Sequence, residues 1–96
     1  MAEKLNEGAI SAALKGLPDW RYDAKANALL RDFKFKDFSE AFGFMTRVAL
    51  AAEAADHHPN WSNSYSKVAI TLSTDTAGGV TEKDLSLARA IGRIVA

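Results

Sequence analysis

Ninety-six residues, with twelve Lys or Arg against twelve Asp or Glu, read as one domain, residues 1–96, without net charge to gather nucleic acid or an anionic membrane. Hydrophobic residues make up 48% of the chain and charged residues 25%, as in water-soluble domains, and the lack of cysteine excludes disulfides, thiolate nucleophiles and thiolate metal sites. No stretch approaches the roughly 18 consecutive apolar residues of a membrane span, and Met1 to Leu17 show no apolar run with a basic flank, so a cytoplasmic protein without a signal peptide is expected.

Residues 5 to 15 read as a short helix. Asn6 is placed to cap it, Leu5 and Ile10 to staple across the cap, and Ala9, Ala12, Ala13 and Leu14 to form its apolar face. Gly16 and Pro18 stop it. Trp20 to Asp23 suit a strand and Ala24 to Asn27 a turn. From Leu29 to Lys36 the pattern alternates strictly, with Leu29, Arg31, Phe33 and Phe35 on one face and Leu30, Asp32, Lys34 and Lys36 on the other. Those two strands form a hairpin.

The period then changes to 3.6. Asp37 with Glu40 makes the aspartate form of a capping box. Phe38, Ala41, Phe42, Met45, Val48, Ala49 and Ala52 make an apolar stripe running to Asp56, and Phe44, Leu50, Ala51 and Ala55 widen it. One sheet face cannot cover so wide a stripe. Burial of the surplus against another subunit is expected, and a grip by the other helices of the same chain is the alternative. Pro59 disfavours helix at His58, so the segment ends at or before that residue.

Trp61 to Ser66 and Lys67 to Thr74 form a second strand pair, Val68, Ile70 and Leu72 alternating with Ala69, Thr71 and Ser73. Gly78-Gly79 marks a tight turn before a last helix, which Thr81 caps with Asp84 at the third position. The apolar stripe of that helix is Leu85, Leu87, Ala88, Ile91, Ile94 and Val95. The order α-β-β-α-β-β-α predicts an α+β fold in two layers, a four-stranded antiparallel sheet with its helices on one face.

Both histidines of the chain, His57 and His58, stand side by side where the long helix must end, between Glu53 and Asp56 on one side and Pro59 on the other. Imidazole is the side chain best suited to move protons near neutral pH. A solvated loop is the bland alternative. Glu53 and His57 are four apart and share a helix face while the helix lasts, and the helix C-terminus favours a cation, so both predict a protonated His57. Trp61 and Trp20 offer stacking surfaces to a flat heteroaromatic substrate, or else belong to the core. Glu53, His57, His58 and Asp75 could be counted as metal ligands. Adjacent histidines beside a Pro-directed turn rarely converge on one ion, and zinc spacings are absent, so no metal is expected.

Phe35-Lys36-Asp37-Phe38, Ala41 through Leu50, Glu53 through Pro59 with Trp61, Ile70 through Thr74, and Gly79 through Asp84 resemble the pterin-4a-carbinolamine dehydratase family. The resemblance runs from about Trp20 to Ala90. It implies a four-stranded antiparallel sheet with helices on one side, assembled into a homodimer or homotetramer through sheet edges and the long helix. It also implies removal of water from a 4a-hydroxytetrahydropterin to give the quinonoid dihydropterin, in tetrahydrobiopterin recycling behind an aromatic amino-acid hydroxylase. No cofactor or metal is needed for that reaction.

On this resemblance His57 is the principal acid-base group, His58 assists or holds the pterin, and Glu53 orients an imidazole. Trp20, Asp56, Pro59, Ser73 and Thr74 belong to the substrate side, the last two through backbone groups. Many members carry a third histidine after the Ser-Thr pair, where this chain has Asp75, and an arginine where it has Lys83. Asp75 puts the rate and the handling of one substrate stereoisomer in question. It also keeps open a non-catalytic reading, in which the long helix binds a protein partner, as some members bind a homeodomain transcription factor.

Overall fold

The structure, a computed structural model, describes residues 3–96, so Met1 and Ala2, the first residues read above for a signal peptide, lie outside the described residues. Helix α1 spans Glu7–Leu14, where Asn6 Oδ1 accepts from Ala9 N–H at 2.8 Å and ends one orphan donor of the first turn. The hairpin follows as β1, Arg21–Asp23, and β2, Ala28–Lys34. Its turn places Asn27 in the left-handed region (φ 51°), which asparagine tolerates better than most side chains. Trp20 falls just outside β1, and Phe35 leaves the β2 ladder while still donating its N–H to Ser66 O at 2.8 Å.

Helix α2 covers Phe38–Ala55, with Asp37 accepting from Glu40 N–H at 2.9 Å and Glu40 Oε1 reaching back to Lys36 N–H at 3.1 Å. Strands β3, Asn60–Ser64, and β4, Lys67–Leu72, form the second hairpin, and a single 3-10 turn at Asp75–Ala77 leads to α3, Glu82–Val95. All four strands join one antiparallel sheet in the order β1-β2-β4-β3. The register sets Leu29 opposite Leu72, Arg31 opposite Ile70 and Phe33 opposite Val68, so alternate residues of both central strands line the face under the helices.

The core lies between that face and the helices. Leu29, Phe33, Val68, Ile70 and Leu72 from the sheet meet Ala41, Phe44, Val48 and Ala52 of α2 and Leu85, Ala88 and Ile91 of α3. The buried line of α2 is narrower than the sequence stripe and is centred elsewhere. Phe44 turns inward, its ring 4.7 Å from that of Phe33 and 4.9 Å from that of Phe35. Phe38 and Phe42 are instead exposed, rings 5.6 Å apart on the outer flank, with Ala49 and Leu50 also exposed and Met45 half-buried. At about 100° per residue, Phe42 is roughly a quarter turn or more away from the line that faces the sheet. The other helices of the chain leave this flank open. Among the described residues, no helix is long and apolar enough to cross a membrane.

Candidate active site

The end of α2 decides where the two histidines go. Asp56 adopts the left-handed conformation (φ 51°, ψ 42°), and its N–H closes on Ala52 O and Glu53 O. His57 N–H also reaches back to Ala52 O, at 3.1 Å. This is a Schellman-type stop, which glycine usually provides and an aspartate provides here. The chain reverses within one residue, and the helical spacing used to pair Glu53 with His57 no longer applies. Glu53 Oε1 lies 2.7 Å from His58 Nε2 instead, an exposed pair. The expected Glu53–His57 contact is thereby corrected, because the carboxylate meets the ring five residues on.

His57 is carried across to the N-terminus of α3. Its Nε2 lies 2.5 Å from Asp84 Oδ1, and Asp84 is fully buried. The other carboxylate oxygen, Oδ2, accepts from Thr81 N–H at 2.8 Å and from the Thr74 hydroxyl at 2.8 Å. Since Thr74 gives its hydrogen to Asp84, the Thr81 hydroxyl donates to Thr74 Oγ1 at 2.8 Å, and Thr81 Oγ1 accepts from Lys83 N–H at 3.2 Å. A buried carboxylate at a helix N-terminus, with donors on both oxygens, is a charge the fold can hold. The capping box read from the sequence is therefore present, and it also anchors a histidine from 27 residues away. A carboxylate only accepts, so the hydrogen of that contact sits on His57 Nε2. Nδ1 is left as the nitrogen that takes or gives a proton.

A cleft of about 370 Å³ opens beside this network, lined by Asp56, His57, His58, Pro59, Asn60, Ser73, Thr74, Asp75, Thr76 and Lys83. The structure thus brings both histidines together with Asp56, Pro59, Ser73, Thr74 and Asp75 on the walls of one cleft. Asp75 is exposed at the start of the 3-10 turn. Thr74 is buried, and its backbone closes the turn: its N–H donates to Gly79 O at 2.8 Å while its carbonyl accepts from Ala77 and Gly78 N–H at 3.0 Å. Its backbone is therefore occupied, and its hydroxyl serves Asp84.

Neither tryptophan lines the cleft. Trp61 is half-buried against the core in β3, and Trp20 packs edge-on to Phe33 with ring centroids 6.4 Å apart, lining a different cavity. Asp84 is the residue that the motif reading assigned only to capping. No spacing rule links it to His57; the contact arises from the fold. Among the described residues, no group of three or more His, Cys, Asp or Glu side chains could hold a metal ion.

Known proteins share this fold and much of this sequence. Residues 3–94 match the family model described as "Pterin 4 alpha carbinolamine dehydratase". A protein of Rhodospirillum rubrum, provisionally named a pterin-4-alpha-carbinolamine dehydratase, is 57% identical over 95 residues, covering 99% of each chain. One of Nitrobacter hamburgensis with the same provisional name is 54% identical over 94 residues, covering 98% of this chain and 93% of that one. A crystal structure from Brucella melitensis, titled a transcriptional coactivator/pterin dehydratase, superposes with a TM-score of 0.94 at 46% identity, covering 98% of this chain and 100% of that one. A pterin dehydratase-like protein described as a RuBisCO assembly factor in the alpha-carboxysome aligns at a TM-score of 0.69 and 25% identity, covering 81% and 90%.

Proposed function

Because the chain belongs to the pterin 4 alpha carbinolamine dehydratase family, we propose that it removes water from a 4a-hydroxytetrahydropterin at the His57 cleft, by general acid-base catalysis. One observation carries the reading: an imidazole fixed by a buried carboxylate, with its second nitrogen left for chemistry, at the wall of a cleft of adequate size. In the reaction the C4a–O bond breaks while a ring nitrogen lone pair forms a C=N bond. The leaving oxygen takes a proton and departs as water, and a ring N–H gives up its proton, so the quinonoid dihydropterin forms without net redox change.

His57 serves as the acid at the leaving oxygen through Nδ1. Asp84 holds the ring in one tautomer and supports the imidazolium. His58, steadied by Glu53, and Asp75 are the candidate groups for the second proton, and Asp56, Pro59 and Ser73 frame the ring. The role is a cytoplasmic one in tetrahydrobiopterin recycling, in a homodimer or homotetramer. Stopped-flow dehydration of the 4a-hydroxytetrahydropterin tests this. Wild type should exceed the buffer rate, and His57→Ala should lose roughly 10²-fold or more with its oligomeric state unchanged. A wild-type rate equal to buffer overturns the enzymatic reading.

A second reading has its own observation, the exposed apolar flank Phe38, Phe42 and Leu50 on α2. It treats the chain as an association module that joins copies or a protein partner through the long helix, with Asp75 marking relaxed chemistry. Phe42→Glu should then abolish association in sedimentation analysis, while His57→Ala leaves it intact. Unchanged association in Phe42→Glu removes this reading.

A further inference from the structure

A second cavity, of about 330 Å³, opens between the α1–β1 connection and the last turns of α3. Trp20 lines it, 5% exposed, and its Nε1–H is buried with no acceptor among the described residues. Buried indole N–H groups nearly always have a partner, so an unpaired one on a residue that lines a cavity marks a position for an acceptor. Arg31, Arg89 and Arg93 line the same cavity, with Asp19 as its one acidic side chain and the last residue, Ala96, at its edge.

Two of those arginines are engaged. Arg31 lies 3.5 Å from Asp19 and stacks over Phe33 at 4.5 Å, and Arg89 lies 3.8 Å from Glu82. Arg93 has no ion-pair partner among the described residues. The walls between these charges are apolar, from Leu17, Pro18 and Ala88. We propose that this cavity binds a small aromatic carboxylate, separately from the His57 cleft: the carboxylate accepts from Trp20 Nε1–H and Arg93, and the ring fills the apolar walls. A neutral aromatic leaves the donors unmatched, and a bare inorganic anion leaves the walls unfilled.

The fold supplies a clean way to block the site. Gly92 lines the cavity, and a Cβ built there meets nothing within 4 Å, so a larger side chain enters the cavity without a backbone clash. The experiment titrates the ¹⁵N-labelled protein with benzoate and follows the two indole N–H signals, assigned with Trp61→Phe. A saturable shift at Trp20 is expected, weakened about fivefold or more by Arg93→Gln, the scale of one charge-assisted contact. Gly92→Leu should abolish it, and His57→Ala should leave it unchanged. Benzamide or inorganic phosphate shifting Trp20 as strongly overturns the proposal. So do an unmoved Trp20 signal, full affinity in both Arg93→Gln and Gly92→Leu, or a benzoate response that requires His57.

Discussion

His57 and His58 are consecutive, yet they occupy opposite kinds of environment. The His57 side chain is 10% exposed and faces a carboxylate that is 0% exposed, which two further groups, the Thr74 hydroxyl and Thr81 N–H, hold in place. His58 is 58% exposed and faces a glutamate that is 79% exposed. Similar donor–acceptor distances therefore describe different physics. Water and salt screen the outer pair, whose contribution to stability is small, whereas removing one partner of the inner pair strands a buried charge. Chain adjacency does not make two catalytic candidates equivalent. The left-handed turn at Asp56 sends one ring to α3 and the other back over α2.

Asp84→Ala should show the largest effect. It strands His57 Nε2, the Thr74 hydroxyl and Thr81 N–H together, and should cost about 3 kcal/mol or more, read from the urea midpoint. The contrast between the pairs breaks down if Glu53→Ala costs as much. For rate, His57→Ala should lose roughly 10²-fold in dehydration and His58→Ala about tenfold or less, since only the inner ring is fixed in orientation. Equal losses would mean that burial does not separate the two roles. Asp56→Gly keeps the turn and relieves a side chain in the left-handed region, so it should stabilise by about 0.5–1 kcal/mol in thermal unfolding. A loss of stability would mean that the Asp56 carboxylate itself supports the reversal. Glu53→Gln should be the mildest, within about 0.5 kcal/mol, with any change fading in high salt.

The element order was legible because it rests on local signals. Strict alternation over β2 and β4, a 3.6-residue period over α2, and caps at Asn6, Asp37 and Thr81 act within a few residues of themselves. Strand ends were less so: Phe35 and Ser73 fit the alternation but lie beyond the ladder. Helical spacing misread Glu53, because it assumes that the helix continues, and Asp56 ends it first. Phe38 and Phe42 were counted on the same stripe as Ala41 and Val48, although the sheet accepts only the Ala41, Phe44, Val48 and Ala52 line. The motif around Glu53 to Pro59 located the cleft, but neither motif nor period separated Trp20 from it.

Local chemistry along the chain sufficed for three helices, four strands, their caps and the placing of two imidazoles at a helix end. These depend on interactions between residues a few positions apart. Packing alone joined His57 to Asp84 and Thr74, turned Phe44 inward and Phe42 outward, and set Trp20 beside arginines from β2 and α3. Each of those contacts spans distant segments whose approach follows from closing the core, and a carboxylate takes a buried partner only once that closure has excluded water from it.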